Sequence, residues 1–219
     1  MKESLNTVFF DMVANTTGPG NVVKAANQAG INANLSAASK DSNISIGGGN
    51  TLVSTLDMAS AYATFAANGM YRKPHLVSKV LNPDGSQVWA PQASEKQAFD
   101  ANASKNAKIA RNVTEALLPV PEYSRLKCAD GRLCAGKTGT HEFDKKDNEK
   151  AWMVGYTPQL STAVSMTAEP RGPIRDARDK AIFGSGLTGQ IWKKFMDSYH
   201  KEYKLPSVQI GRASCRERV

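Results

Sequence analysis

The chain has 219 residues, of which 41% are apolar and 22% charged, and its formal net charge is +8 at pH 7. These fractions are typical of a globular protein, and no run of 18 apolar residues predicts a transmembrane helix. The basic residues are scattered instead of forming a stripe interleaved with aromatic residues, so we expect no nucleic-acid partner.

The first part of the chain predicts short helices. Residues 7–14 cluster apolar side chains at helical spacing, and a second helix is predicted from Asn21 to about Ala29. The polar stretch over residues 31–50 ends in a run of glycines and predicts a mobile connector.

The middle of the chain predicts two further helices with a hairpin between them. Ser54 and Asp57 form a capping box before a segment that is apolar nearly all round, which indicates a buried helix. The turn sequence NPDG over residues 82–85 predicts a small hairpin away from the core. Ser104 is expected to cap a helix that ends near Leu118.

The last third predicts an antiparallel sheet and a closing helix. Strands are expected over residues 132–138, 151–156 and 161–167, and the short connection between the last two indicates antiparallel neighbours. A helix over about residues 188–203 carries apolar side chains at helical spacing and would pack on the sheet. The fold class expected from these elements is α+β, with an antiparallel sheet flanked by helices.

Two cysteines, Cys128 and Cys134, flank a turn-like stretch. A hairpin there would bring them close enough to form a disulfide in an oxidising compartment, and two free thiols are the alternative. Because there is no second cysteine pair and the three histidines are scattered, we expect no metal site, and we expect no cofactor.

The last ten residues, from Ile210 to Val219, resemble the translation of a common sequencing-adapter read. We therefore interpret them as artefactual and expect no packed element there. The predicted organisation is one partial domain over residues 1–205 and a tail over residues 206–219.

The stretch Ala135 to Thr140, AGKTGT, carries the strongest functional signal and allows two interpretations. The first is a phosphate-binding loop, because residues 131–138 satisfy G-x-x-x-x-G-K-[ST]. Such a loop needs a buried strand before it and a helix after it, so that helix N–H groups face the phosphates. The polar residues on both sides predict neither, which argues against a P-loop nucleotide binder.

The second interpretation is a strand that binds a ligand along its edge. Gly136 and Gly139 would let a ligand chain lie against the strand, and Lys137 would supply a cation facing the cleft. Thr138 and Thr140 fall on the two-residue period of a strand, so both hydroxyl groups can face the same side. A ligand that ends in a carboxylate suits this arrangement.

Five segments, in order, resemble the transpeptidase domain of the class A, bifunctional penicillin-binding proteins. They are the S-x-N motif Ser4-Leu5-Asn6, the helix segment Ser54 to Tyr62, the K-T-G-T motif Lys137 to Thr140, the strand segment Ala151 to Gln159 and the helix segment Ile191 to Met196. K-T-G alone is a short motif, and the order of all five carries the resemblance. The resemblance implies the transpeptidase fold shared by penicillin-binding proteins and serine β-lactamases, with its N-terminal part outside this chain.

The family resemblance implies a serine-type D-Ala-D-Ala transpeptidase. Such an enzyme cross-links peptidoglycan stem peptides ending in D-Ala-D-Ala through a serine acyl-enzyme, and β-lactams inhibit it. Carried over to this sequence, Ser4 would relay a proton to the leaving group. Asn6 would hydrogen-bond the acyl side chain of the substrate, and Lys137 would set the electrostatics around Ser4.

The same resemblance assigns substrate binding to the residues after Lys137. Thr138, Gly139 and Thr140 would bind the substrate, with the two threonines holding its terminal carboxylate and the Thr140 N–H group facing the oxyanion.

One motif of the family is missing from its expected place. The family's S-x-x-K motif, which carries the nucleophile, lies before S-x-N, and no S-x-x-K precedes Ser4. The resemblance therefore implies that the nucleophile, the first sheet strands, a glycosyltransferase domain and a membrane anchor lie outside this chain, and that the chain alone is inactive. The anchor would place the parent protein at the extracytoplasmic face of the bacterial cell membrane.

A β-lactamase or a penicillin-sensing receptor domain would share these motifs and is the alternative. Between Asn6 and Lys137 there are 130 residues. This separation favours a class A penicillin-binding protein over the compact β-lactamases.

Overall fold

The structure is a computed structural model that describes residues 1–49, 51–92, 94–208 and 210–211. The helices in these ranges are α1 (Asn6–Met12), α2 (Pro19–Ala29), α3 (Thr55–Ala66), α4 (Ala103–Leu117), α5 (Pro119–Tyr123) and α6 (Leu187–Glu202). The strands are β1 (Met70–Arg72), β2 (Val80–Leu81), β3 (Gln87–Trp89), β4 (Glu95–Gln97), β5 (Ala135–Glu142), β6 (Asn148–Thr157) and β7 (Leu160–Thr167). None of the helices within these ranges is long and apolar enough to cross a membrane.

Strands β5, β6 and β7 form the central antiparallel sheet in that order, and β6 and β7 are antiparallel neighbours as the sequence predicts. Lys137 pairs with Val154, and Thr138 pairs with Met153. Because paired residues share a face and successive residues alternate between faces, Lys137 and Thr138 project from opposite faces of the sheet. No other strand of the described residues pairs with the outer edges of β5 and β7.

Half of residues 141–150, which lie between the predicted strands over 132–138 and 151–156, are strand, because β5 extends to Glu142 and β6 begins at Asn148. The first strand begins three residues later than predicted and runs on to Glu142. The turn is short because the carboxylate of Asp144 accepts hydrogen bonds from the N–H groups of Lys146 (2.8 Å) and Asp147 (2.9 Å).

Helix α6 covers one face of the sheet through Trp192, which is fully buried together with Met153 and Met196. The indole lies directly on Gly155, where a Cβ atom would come within 2.6 Å of the ring. The indole N–H donates to the carbonyl oxygen of Thr162 at 3.1 Å. The glycine in β6 therefore lets the helix lie flush on the sheet.

Helices α3 and α4 cover the opposite face around Tyr156, which is fully buried. The Tyr156 hydroxyl pairs with Thr114 Oγ1 of α4 at 2.8 Å, and its ring meets Tyr62 of α3 edge-on at 6.0 Å. Burial raises the pKa of Tyr156 to about 12. Helix α3 begins with the predicted capping box of Ser54 and Asp57.

Two details of the helical part differ from the sequence prediction. Residues 36–46, expected to belong to a mobile connector, contain two 3-10 helices, Ser36–Lys40 and Ser42–Ile46, which bury Ala38 and Ile44. The N-cap of α4 is Asn102 and not Ser104, because Asn102 Oδ1 accepts the N–H of Lys105 at 3.1 Å.

The segment before β5 is closed by a disulfide between Cys128 and Cys134, whose Cα atoms lie 6.3 Å apart. Both side chains are buried beside Trp192. Of the two alternatives that the sequence leaves open, the structure shows the disulfide.

The chain remains packed after α6. Buried Arg132 donates hydrogen bonds to the carbonyl oxygens of Leu205 and Pro206, both at 2.8 Å. Ile210, the first residue of the adapter-like segment, is 3% exposed and packs in the cluster around Tyr156. The packed part of the chain thus includes Ile210, and residues 212–219 lie outside the described residues.

Candidate functional site

The free edge of β5 brings together two predicted site residues that are 133 positions apart in the sequence. The Lys137 ammonium donates hydrogen bonds to Ser4 Oγ and to the carbonyl oxygen of Thr138 (2.7 Å). Ser4 has a φ of +50°, in the left-handed region that non-glycine residues seldom adopt. Burial lowers the pKa of Lys137, because desolvation disfavours the charged ammonium.

The third predicted catalytic residue, Asn6, is the first residue of α1. Its side chain is exposed, and α1 buries none of its residues. The hydrogen bonds of Lys137 go to Ser4 and Thr138. The structure therefore joins Ser4 to Lys137 and places Asn6 next to this pair along the chain.

The two threonines of the K-T-G-T motif line a cavity of about 640 Å³ together with Ser4. Further residues in its wall are Ser124, Ser185 and Gln190. Thr140 Oγ1 accepts a hydrogen bond from the Gly184 N–H at 3.1 Å. Since Thr138 and Thr140 are two residues apart on β5, they project to the same side, as the sequence predicts.

A larger cleft of about 1030 Å³ lies on the face of the sheet that carries Lys137. Apolar side chains from the helical part and the sheet line most of it, among them Ile31, Met58 and Val154. Gly139 is among the residues that line it, and a glycine in a strand allows another backbone to approach closely. The two cavities meet at β5, because Thr138 and Thr140 line both.

A group of charged side chains also lines the larger cleft. Glu149 is buried, and its carboxylate accepts a hydrogen bond from the Arg171 guanidinium. His141 Nε2 lies 3.4 Å from the same carboxylate, and Lys150 Nζ lies 4.0 Å from it. The hydrogen bond from Arg171 holds the pKa of Glu149 below its usual range. Within the described ranges, no group of three His, Cys, Asp or Glu side chains could hold a metal ion.

The structure contradicts the phosphate-loop interpretation. Residues 131–134 belong to the loop that the disulfide closes, and residues 135–138 are the start of β5. The next element is the strand β6, not a helix. A phosphate-binding loop requires a helix that begins directly after the lysine and threonine, and here the chain continues as a strand to Glu142.

Sequence reasoning missed two S-x-x-K tetrapeptides, which follow Ser4 instead of preceding it: residues 124–127 and 198–201. Ser124 lines the smaller cavity, but Lys127 Nζ lies 3.6 Å from the Glu122 carboxylate. Ser124 also ends helix α5, so Lys127 does not follow it on a helix. In the second tetrapeptide, the side chains of Ser198 and Lys201 are exposed on α6. A search of the whole chain for the motif would have found both.

Gly184 is a further residue of the site that the sequence did not reveal. It stands in the polar, glycine-rich loop between β7 and α6, where no periodic pattern marks a contact with β5. Only the structure shows that its N–H group meets Thr140.

Comparisons with known proteins agree with this geometry. Residues 1–195 match the family model described as penicillin binding protein transpeptidase domain. Penicillin-binding protein 1A of Mycolicibacterium smegmatis is 40% identical over 216 residues, which cover 90% of this chain and 26% of the relative. Penicillin-binding protein 1A of Mycobacterium tuberculosis is 42% identical over 210 residues, which cover 90% of this chain and 25% of the relative. The chain thus spans about a quarter of the length of these curated relatives.

Solved structures show the same relationship. The penicillin-binding protein PonA1 from Mycobacterium tuberculosis superposes with a TM-score of 0.84 at 36% identity, covering 97% of this chain and 58% of that chain. A second structure of PonA1, in complex with penicillin V, gives the same values. The imipenem acyl-enzyme of penicillin-binding protein A from Mycobacterium tuberculosis has a TM-score of 0.66 at 19% identity, covering 90% of this chain and 45% of that chain, and supports the fold alone. The chain belongs to the family of penicillin-binding protein transpeptidase domains.

Proposed function

We propose that this chain is the substrate-binding part of a serine D,D-transpeptidase domain that cross-links peptidoglycan stem peptides ending in D-Ala-D-Ala. The observation that carries the proposal is the hydrogen bond between Lys137 and Ser4 at the unpaired edge of β5. It joins the S-x-N and K-T-G-T motifs beside a strand that can accept an extended ligand. The nucleophilic serine is contributed by a segment outside this chain.

Ser4 transfers a proton to the leaving group, and Lys137 supports this transfer. The external serine attacks the carbonyl carbon between the two D-alanines, and the bond to the leaving D-alanine nitrogen breaks. Ser4 gives its hydroxyl proton to that nitrogen. It recovers a proton from the attacking serine through the lysine of the S-x-x-K motif. The Lys137 ammonium, hydrogen-bonded to Ser4 Oγ, stabilises negative charge as it develops on that oxygen.

The substrate lies along β5 as an added strand. The free edge of β5 offers main-chain hydrogen bonds, and Gly139 leaves room for the ligand backbone. The hydroxyl groups of Thr138 and Thr140 donate to the terminal carboxylate, and the Thr140 N–H group faces the oxyanion. Penicillin V carries a carboxylate that would occupy the same position, so it reports on the same contacts.

The whole protein is proposed to act at the extracytoplasmic face of the bacterial membrane, with a glycosyltransferase domain and an anchor outside this chain. The disulfide between Cys128 and Cys134 supports this location. Disulfides form and persist in oxidising compartments and are rare in the cytosol.

Labelling with a fluorescent penicillin tests the proposed function. The full-length protein that contains this chain should form a covalent adduct, and the 219-residue chain alone should form none. A Ser124→Ala variant of the chain is the matched control, because Ser124 is an S-x-x-K serine in the wall of the cavity. A labelled chain whose label is lost in Ser124→Ala would place the nucleophile inside the chain and overturn the proposal. An unlabelled full-length protein would also overturn it.

A further inference from the structure

The loop between β7 and α6 contacts strand β5 through a hydrogen bond. The Gly184 N–H group donates to Thr140 Oγ1 at 3.1 Å. Thr140 is exposed toward the cavity that also contains Ser4 and Thr138. A group outside the K-T-G-T motif therefore contacts the oxygen that is proposed to hold the substrate carboxylate.

We propose that Gly184 is a positioning residue that turns the Thr140 hydroxyl into a hydrogen-bond donor for the substrate carboxylate. A hydroxyl group has one proton and two lone pairs. Since the Gly184 N–H group occupies one lone pair, the hydroxyl proton points away from Gly184. The inference rests on the proposed function, because it assigns an orientation to the carboxylate-binding group of that site.

The position requires a glycine because the loop backbone lies directly against the sheet. A Cβ atom at residue 184 would collide with the carbonyl oxygens of Gly139 and Trp152 and lie 3.0 Å from the Gly139 nitrogen. All of these are backbone atoms, which cannot move aside as a flexible side chain can. Any side chain at residue 184 would therefore push its N–H group away from Thr140.

An ion pair holds this loop on the β5–β6 hairpin. Arg175 donates to both carboxylate oxygens of Asp147, at 3.0 and 2.6 Å, and the Asp147 side chain is nearly buried. Such a two-point contact fixes orientation as well as distance. Arg175 therefore acts on Thr140 indirectly, by keeping the Gly184 part of the loop in place.

Backbone contacts and apolar packing support the ion pair. The Ile174 N–H group donates to the Asn148 carbonyl oxygen at 2.7 Å, and Asn148 Nδ2 donates to the Ile182 carbonyl oxygen at 2.9 Å. The side chains of Ile174 and Ile182 are buried against Ala151 of β6. The loop is thus attached to the hairpin before it reaches Gly184.

Acylation of the full-length protein by penicillin V and by its methyl ester measures the carboxylate contact directly. The ratio of the two second-order rate constants, that of the free acid divided by that of the ester, reports on hydrogen-bond donors to the carboxylate. Because a loss of folded protein lowers both rate constants equally, it does not change this ratio. We expect Thr140→Val to lower this ratio about tenfold, as the loss of one hydrogen bond to a charged group does, and Thr140→Ser to retain it.

Variants of the loop separate positioning from folding. Gly184→Ala and Arg175→Met should both lower the ratio, by about threefold or more, and Arg175→Met stays informative if Gly184→Ala does not fold. Arg178→Met, at an exposed arginine of the same loop, is the matched control and should leave the ratio unchanged. An unchanged ratio in Arg175→Met, with Thr140→Val lowered, would overturn the positioning role. Absence of acylation in the unmodified protein would instead overturn the proposed function.

Discussion

Replacing Lys137 by methionine should slow acylation of the full-length protein by penicillin V. Methionine has a side chain of similar length but no charge, so it leaves Ser4 Oγ without its ammonium donor. A hydrogen bond from a charged donor contributes about 1.5–3 kcal/mol. Since each ~1.4 kcal/mol of transition-state stabilisation is worth tenfold in rate, the rate constant should fall about 10- to 150-fold.

The measurement is the second-order rate constant of acylation, with Lys145→Met as the control. Lys145 is an exposed lysine in the turn between β5 and β6, and its replacement should leave the rate constant unchanged. A fall of less than about threefold in Lys137→Met would show that the ammonium does not assist Ser4 during the reaction. The proposed role of the pair would then be wrong.

The pH dependence of acylation gives a second test of the same group. Burial lowers the pKa of Lys137, so its ammonium loses its proton at a lower pH than an exposed lysine does. Acylation should therefore decline on the alkaline side earlier than an ordinary lysine would allow. In Lys137→Arg the guanidinium stays protonated, and this decline should move to higher pH. A decline at the same pH in both proteins would assign it to another group.

Two further predictions concern stability and use the urea midpoint of the chain. Because the hydrogen bond from Arg171 lowers the pKa of Glu149, the ionised carboxylate stabilises the fold above pH 4.5, the usual pKa of a glutamate. This stabilisation is lost as the pH falls through the pKa of Glu149 in the folded chain. Glu149→Gln should therefore lose less stability on acidification than the unmodified chain does. Thr114→Val should cost about 1–3 kcal/mol, because it leaves the buried Tyr156 hydroxyl without a partner, and Tyr156→Phe only about 0.5–1.5 kcal/mol, because Thr114 still donates to the Ala110 carbonyl oxygen. An equal loss of stability on acidification in Glu149→Gln and the unmodified chain would contradict the Glu149–Arg171 contact. A larger cost for Tyr156→Phe than for Thr114→Val would contradict the assigned hydrogen bonds of Thr114.

The sequence predicted those elements of the fold well that depend on contacts between neighbouring residues. The capping box at Ser54 and Asp57 and the antiparallel pairing of β6 with β7 follow from residues that are close in sequence. The start of β5 was misplaced because its pattern of small and apolar residues begins in the disulfide loop. The helical cap at Asn102 was missed because Ser104, two residues later, is an equally good capping residue type.

Contacts between distant residues were harder to predict. The pairing of Ser4 with Lys137 was expected only from the family resemblance, since neither residue has a local pattern that points to the other. The contact of Gly184 with Thr140 was not expected at all, because a glycine in a polar loop is also compatible with a simple turn. Backbone donors of this kind have no side-chain signature in the sequence.

The contact between Trp192 and Gly155 has a consequence for how the chain folds. A one-residue slip of β6 against β5 would turn Gly155 to the opposite face of the sheet. The place of Gly155 under the indole would then be taken by a residue with a side chain, where there is no room for even a Cβ atom. Docking of the last helix therefore acts as a check on strand alignment, and a misaligned hairpin cannot bind that helix and complete the fold.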